Sequence, residues 1–301
     1  MKQGFFIGLV LFFYISCNKI AQEDENTLVI HLQVDNQKPV IHLIATIIDK
    51  NQNIEIIFLN KDTVRAKTSC FYDSIGRLIH YYYANGGITS EYQCFYNNFN
   101  HLDKVISVEK HSDKDTETFT TTYFYNSENQ LIEERNEDTN KNNIFSHSPE
   151  IKKYTYDDSG RVVKIIYCNL DESYTDEYNL IDYSENQKIK YYYSSDCMEN
   201  DRILNVLQEK TVYQYDKKDR VIKITENTLD AFATDLHLYR TITYLYDRFD
   251  RIKEITYKYE QNTEWCGIEH DAWQKKYIFN YGKKWNKIDK TIINKILDIE
   301  I

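Results

Sequence analysis

The sequence has no basic cluster and no closely spaced pair of cysteines. Its 301 residues carry a formal net charge of −10, which argues against a nucleic-acid partner because a phosphate backbone requires a basic face. None of the six cysteines forms a CxxC pair, so the spacing of a zinc site is absent. Five cysteines remain once Cys17 is assigned to lipid (below), and an odd number argues against a disulfide-framework fold.

Catalytic and cofactor motifs are missing as well. The chain contains no Gly-rich phosphate loop, no nucleophile elbow and no zinc-binding helix motif. We therefore expect a protein that is not an enzyme and that holds no cofactor and no metal.

The one long apolar run is too short to cross a bilayer. Phe5 to Ile15 follows the positive Lys2, and a transmembrane helix needs roughly 20 residues, so residues 1–16 are predicted to be a signal peptide. The sequence ending at Cys17, Tyr-Ile-Ser-Cys, resembles a bacterial lipobox. That resemblance implies cleavage before Cys17 and a lipid on it that binds the membrane. The alternative is an ordinary signal peptide with an incidental cysteine.

A polar tether over residues 17–26 follows the predicted cleavage site. Its run Gln22-Glu23-Asp24-Glu25 resembles the acidic export signal of lipoproteins of the Bacteroidota. The resemblance implies an outer-membrane lipoprotein that is exposed on the cell surface. The alternative is a solvated linker, since acidic runs usually are solvated.

Little glycine and much tyrosine accompany a repeated motif. The 27 Tyr contrast with 8 Gly and 2 Pro, and tyrosine favours strands. The repeated unit is Tyr, Asp or Asn, two variable residues, a turn residue, a polar or basic residue and an aliphatic. The clearest copies start at Tyr72, Tyr156, Tyr215 and Tyr246, and weaker ones start at Tyr96, Tyr125, Tyr183 and Tyr281.

Each copy is predicted to be a hairpin turn. Asp or Asn can accept bonds from backbone N–H groups two residues on. The residue three later must adopt a left-handed backbone, which Gly76 and Gly160 do without strain, and only Gln187 breaks this rule. This pattern indicates a type I turn closed by a bulge, between strands whose tyrosines sit two apart.

The Tyr-Asp-x-x-Gly-Arg-Leu core, as at Tyr72 to Leu78, resembles the Rhs or YD repeats. The resemblance covers residues 68–301 and implies an all-β fold: tandem antiparallel β-hairpin repeats forming a long curved or spiral sheet. In large relatives the sheet encloses a toxin. Only thirteen residues follow Ile288, so we do not expect that role. Residues 27–67 are also strand-like and are expected to cap the first repeat, the alternative being a small separate domain.

One interval between copies has the residues for a site. It contains Trp265, Glu269, His270, Asp271 and Trp273, which could bind a ligand or supply acid–base groups. Neighbouring residues on a strand point to opposite faces, so at most two of the three polar groups could share a site. The alternative is a polar loop whose tryptophans cover the sheet edge.

Two functions follow from these features. The favoured one is a non-catalytic envelope lipoprotein whose repeats bind glycan or a cell-surface protein, with exposed aromatics stacking on sugar rings. The alternative is an envelope hydrolase or metal-dependent enzyme that uses the loop at 265–273. The tyrosine rows at 81–83 and 191–193 could also bind glycan, but packing between neighbouring hairpins explains them without a ligand.

Overall fold

The computed structural model describes residues 26–35, 37–38, 40–48, 53–60, 63–111, 116–138, 151–169, 174–198, 201–229, 236–260, 262–263, 269–270, 272–282 and 285. Over these ranges the chain is all-β, with twenty strands and no α-helix. A search of the same residues finds no helix that is long and apolar enough to cross a membrane.

The strands are numbered in the order in which they follow one another along the chain. They are β1 (Thr27–Val34), β2 (Val40–Ile47), β3 (Ile54–Asn60), β4 (Thr63–Tyr72), β5 (Leu78–Asn85), β6 (Ile88–Tyr96), β7 (Leu102–His111), β8 (Glu117–Tyr125), β9 (Leu131–Asp138), β10 (Ile151–Tyr156), β11 (Val162–Cys168), β12 (Tyr174–Ser184), β13 (Gln187–Met198), β14 (Asp201–Tyr215), β15 (Val221–Thr228), β16 (His237–Tyr246), β17 (Ile252–Tyr259), β18 (Asn262–Thr263), β19 (Glu269–His270) and β20 (Trp273–Tyr281).

The predicted antiparallel hairpins are confirmed. The repeat tyrosines at 72, 96, 125, 156 and 215 each end the first strand of an antiparallel pair, and the following aliphatic residue begins the second. Two strands from each of eight copies predict on the order of 16 strands. The described residues hold more, because β1 to β3 precede the first copy.

The turn of the first copy shows how the motif folds. Asp73 N–H donates to the carbonyl of Arg77 (2.9 Å), and Gly76 N–H donates to the carbonyl of Asp73 (3.0 Å). The Asp73 carboxylate Oδ1 accepts from the backbone N–H groups of Ile75 and Arg77, at 3.0 and 2.9 Å. The register shifts by one residue beside Tyr72, which marks the bulge. A single side chain thus satisfies two backbone donors of the turn.

The position that closes the turn has a left-handed backbone, as predicted. Gly76 and Gly160 have φ of +84° and +74°. The same position in other copies has φ between +59° and +66° at Asn100, Asn129, Asp219 and Asp250. Gln187 differs because it pairs directly with Ser184, which leaves a two-residue turn between β12 and β13.

The residue that follows the left-handed position pairs with the first turn residue. Arg77 Nε donates to Asp73 Oδ2 at 2.7 Å, and equivalent Asp–Arg pairs form at Asp157, Asp216 and Asp247. Where the turn begins with Asn126, its Nδ2 donates instead to Gln130 Oε1 at 2.7 Å. Hydrogen bonds from Arg220 hold the pKa of Asp216 at about 2. The motif therefore contains its own ion pair or its amide equivalent.

The repeat tyrosines join successive hairpins. The Tyr156 hydroxyl donates to the carbonyl of Leu131 at 2.7 Å, and this carbonyl belongs to the aliphatic residue of the preceding copy. Tyr125, Tyr183 and Tyr281 donate in the same way to Leu102, Val162 and Ile252, at 2.8, 3.0 and 2.7 Å. Phenylalanine could fill the same space but could not make this bond, which explains why tyrosine is the residue at this position of the motif.

The chain divides into two compact units. Of the described residues, the first comprises those up to Gly86, Leu245–Ile255 and those from Lys276 onward. Its core is apolar: β1 is buried on both faces, since Leu28, Val29 and Ile30 are at most 2% exposed. Further core residues are Leu43, Ala45, Ile54, Ile56, Phe58, Ala66, Cys70 and Phe279 on other strands of the unit, and Trp285 after β20.

The first and last long strands of this unit are neighbours. β1 pairs with both β2 and β20, and β20 pairs with β17. Gly282 N–H donates to the carbonyl of Thr27 at 2.8 Å. Trp285, which is fully buried, donates its indole N–H to the carbonyl of Asn26 at 2.6 Å.

This pairing corrects the predicted architecture. A long curved or spiral sheet keeps its first and last strands apart as two edges, whereas neither β1 nor β20 is an edge strand. The expected long curved or spiral sheet is therefore wrong. The physical reason is that pairing the two strands satisfies backbone groups that a free edge would leave open.

The second unit comprises Gly87–Tyr244 and Thr256–Lys275. Residues directly opposite in antiparallel strands share a face, and the registers place a row of tyrosines on one face of this unit. We call it the tyrosine face: Tyr92, Tyr123, Tyr154, Tyr167, Tyr192 and Tyr213. Most of these side chains are half-buried rather than packed into a core.

Candidate functional site

The residues predicted for a site are only partly described. Cys17, Trp265 and Asp271 lie outside the described residues. Glu269 and His270 form β19, which pairs with β18, but their side chains lie outside the described part. The hydrolase alternative rests on those side chains and stays a prediction. Trp273, the remaining predicted residue, begins β20 and is described in full.

Trp273 stacks on a tyrosine of the neighbouring strand. Its ring and that of Tyr259 have centroids 4.1 Å apart and are inclined by 5°. Tyr257, two residues earlier on the same face of β17, lies 6.4 Å from Tyr259 in a stacked arrangement. Trp273 is 38% exposed, whereas Tyr257 and Tyr259 are 2% and 8% exposed. We call these three rings the aromatic platform: an exposed indole supported by two buried phenols.

Two cations lie over the aromatic platform. Lys275 Nζ is 4.8 Å from the Tyr257 centroid, 5.8 Å from that of Tyr259 and 6.0 Å from that of Trp273. Arg240 Cζ lies 5.7 Å from the Tyr257 centroid and 5.9 Å from that of Tyr259. These distances are within the range of cation–π attraction. The cations also bring N–H donors next to an exposed aromatic surface.

A carboxylate on β15 fixes Arg240. Glu226 lies directly opposite Arg240, and the two form an ion pair in which Arg240 Nη2 donates to Oε1 at 3.2 Å. Arg240 Nη1 also donates to the Tyr259 hydroxyl at 3.4 Å. Burial alone would lower the pKa of Arg240, but these two partners outweigh it and raise the pKa. Arg240 is therefore a permanently charged group with a restricted orientation.

On the tyrosine face, phenols and carboxylates lie close to one another. The Tyr154 hydroxyl donates to Glu134 Oε1 at 2.7 Å. Burial, reinforced by Glu134, raises the pKa of Tyr154 and raises that of Tyr123 to about 12. Burial, reinforced by Glu177, raises the pKa of Tyr192 to about 12. These phenols stay protonated near neutral pH, which suits hydrogen-bond donation rather than nucleophilic attack.

The tyrosine row at 191–193 packs between hairpins, as the sequence favoured. Tyr193 stacks on its cross-strand partner Tyr178, with centroids 4.9 Å apart and planes inclined by 10°. Lys210 Nζ lies 5.7 Å from the Tyr191 centroid. Side chains of the neighbouring strands therefore contact the rings of Tyr191 and Tyr193.

The described thiols differ in their burial. In the described residues Cys70, Cys94 and Cys168 remain thiols. Cys70 and Cys168 are buried, but Cys94 is half-buried. The reason is its position on the half-exposed tyrosine face, opposite Val105.

Sequence reasoning missed most of the aromatic platform and its cations. Tyr257-x-Tyr259 and Trp273-x-Lys275 each alternate with the period of a strand, so the pattern places each pair on one face. No sequence signal shows that β17 pairs with β20, because β18 and β19 lie between them in the chain. The sequence analysis also missed Arg240, because its position over the platform depends on the register of β16.

No protein-family model matches the chain, and no curated protein matches it. Solved structures that resemble it include a porin-like protein from Bacteroides uniformis, 10% identical, which covers 84% of this chain and 95% of its own, with a TM-score of 0.39. Another is TcdB2-TccC3, 10% identical over 76% of this chain, with a TM-score of 0.36; the chain spans 14% of that protein's length. TM-scores this low do not establish a shared fold, so membership of the Rhs or YD repeats stays a prediction.

Proposed function

We propose that this chain is a non-catalytic, exported binding protein that holds glycans on its aromatic platform. The observation that carries the proposal is the exposed Trp273, stacked at 4.1 Å on the buried Tyr259. An indole held in this way presents a rigid apolar surface at little entropic cost, because its rotamer is already restricted.

The groups around the platform support a sugar as the ligand. A sugar ring offers an apolar face for stacking and hydroxyls around its rim. Lys275 and Arg240 bring N–H donors to the platform, and both donors suit hydroxyl or carboxylate oxygens. Glu226 forms an ion pair with Arg240, and Lys275 adds a further positive charge beside the exposed indole, which favours acidic sugars.

Export and anchoring belong to the same proposal. The apolar run after Lys2 and the lipobox-like sequence ending at Cys17 support a lipoprotein, and the acidic run after it supports the outer membrane and cell surface. A lipid on Cys17 would keep the binding unit at the envelope, where glycans are abundant.

The test is a screen of the purified protein on an array of neutral and acidic oligosaccharides, followed by calorimetric titration of the best binder. Trp273→Ala should weaken the affinity by about 2 kcal/mol, which is roughly 30-fold in Kd, as for a central aromatic anchor. Lys275→Gln should weaken acidic sugars more than neutral ones.

Phe95→Ala is the matched control. Phe95 is 41% exposed, close to the 38% of Trp273, lies on β6 and has Lys104 Nζ 5.1 Å from its ring centroid, so its loss should leave the affinity unchanged. An array without any binder, or a glycan whose Kd is the same for the Trp273→Ala variant and the wild type, would contradict the proposal. A captured protein that binds independently of Trp273 would do the same.

A further inference from the structure

Three metal-ligating side chains meet where β7 ends and β8 begins. Glu109 and His111 are two residues apart on β7 and therefore share a face, and Glu117 on β8 lies directly opposite Glu109. One ligand atom from each of the three lies within 4.8 Å of the others. His111 Nε2 is 3.9 Å from Glu109 Oε2.

The two carboxylates are placed where like charges oppose each other. Direct cross-strand pairing of like charges destabilises an antiparallel sheet, and Glu109 and Glu117 form such a pair. A bound cation would attract both carboxylates and so offset the repulsion between them.

A buried serine orients one of the carboxylates. Ser90 is 5% exposed and donates its hydroxyl to Glu109 Oε1 at 3.1 Å. The other oxygen, Oε2, is the one that lies 3.9 Å from the imidazole of His111. Hydrogen bonds of this kind to a ligating carboxylate orient it and increase metal affinity. One oxygen is thus held by Ser90 while the other faces His111.

We propose that Glu109, His111 and Glu117 bind a divalent metal ion of the zinc type. Zinc accepts imidazole nitrogen and carboxylate oxygen together, whereas magnesium and calcium prefer oxygen alone. Metal–ligand distances of about 2.0–2.2 Å put neighbouring ligands roughly 3.3–3.6 Å apart. The 3.9 Å gap between His111 and Glu109 closes with a small side-chain rotation, and water completes the fourth position. The site does not depend on the proposed glycan binding.

The test is calorimetric titration of the metal-stripped full-length protein with ZnCl2, and with MgCl2 for comparison. We expect one zinc site of micromolar affinity that magnesium does not fill. His111→Gln and Glu117→Gln should weaken zinc binding more than about 100-fold, and Ser90→Ala by about 10-fold, as for partners outside the ligand set. Glu137→Gln, an exposed carboxylate on β9, is the matched control and should bind zinc like the wild type.

Equal zinc affinity in the wild type and the His111→Gln variant would overturn the proposal, as would a wild type without micromolar zinc binding. Circular dichroism of the metal-free variants shows whether they are folded. If a variant unfolds, X-ray absorption by the zinc-loaded wild type identifies the zinc ligands instead. One imidazole nitrogen with oxygen ligands supports the site, and sulfur or oxygen alone refutes it.

Discussion

Replacing Gly160 by Val should destabilise the protein through the backbone of one turn. Gly160 has φ of +74°, a conformation that a β-branched side chain disfavours. Holding a non-glycine residue there costs about 1–3 kcal/mol. Valine has less conformational freedom than glycine in the unfolded chain, and this offsets about 0.4–1 kcal/mol of the strain. With the middle value of each range, the free energy of unfolding should therefore fall by about 1–2 kcal/mol.

Surrounding atoms add little to this cost. A Cβ at position 160 would lie 3.3 Å from Gln130 Nε2, which is the end of a flexible side chain. A Cβ at Gly76, with φ of +84°, would meet no atom within 4 Å. Val at either position should thus lower stability by nearly the same amount, because the backbone dominates. Gly160→Asn should cost less than about 1 kcal/mol, because Asn129 already adopts φ of +63° at the equivalent position.

The assay is urea unfolding followed by circular dichroism, with changes in midpoint converted by the common m-value. Asp219→Gly should act in the opposite sense and raise the free energy of unfolding by up to about 1 kcal/mol, because glycine adopts the left-handed backbone without strain. If Gly160→Val leaves the midpoint at the wild-type value, the left-handed turn cannot be the physical basis of the repeat.

Three further predictions concern the turns, the tyrosine bonds and the anchor. Tyr156→Phe removes the hydroxyl that donates to Leu131 and should lower the free energy of unfolding by about 1 kcal/mol. The pKa of Asp216 falls from 3.8 to about 2 because of Arg220. Its contribution to stability is therefore complete above pH 3.8 and is lost as the pH falls toward 2, and Asp216→Asn should flatten that part of the pH–stability curve. Cys17→Ser should release the protein from membrane fractions or leave an uncleaved precursor.

Each of these has a result that would count against it. Tyr82→Phe, at an exposed position, should be neutral, and an equal loss in both phenylalanine variants would remove the special role of the Tyr156 bond. If the wild type and the Asp216→Asn variant lose the same stability as the pH falls from 3.8 to about 2, the ion pair of the turn does not contribute to stability. A Cys17→Ser protein that is cleaved and still partitions with membranes into detergent would rule out the lipobox.

The repeat was predictable because its contacts are local. Asp73 bonds to residues two and four positions later, so the seven-residue motif contains both partners of these hydrogen bonds. The alternation of tyrosines along each strand needs no distant partner either, since period two follows from the backbone. The hairpins, the left-handed positions and the all-β class could therefore be predicted.

The sites were not predictable to the same degree, because they depend on register. Glu109 and Glu117 oppose each other only in the pairing that β7 and β8 adopt, and a slip of one residue would move them to opposite faces. The sequence between these strands does not carry the repeat motif, so no motif specifies their register. Trp273 was recognised as a candidate from the sequence, but its partner Tyr259 was not.

The sequence by itself determined the hairpin unit, its turn chemistry and its aliphatic and aromatic positions, because those interactions span a few residues. Tertiary structure alone decided that β1 pairs with β20, which replaced the expected free edges. Tertiary structure also brought Arg240, Lys275 and Trp273 to one aromatic platform. Both outcomes depend on pairings between strands that are distant in the chain, and the free energy of such pairings comes from burial and edge satisfaction rather than from any local motif.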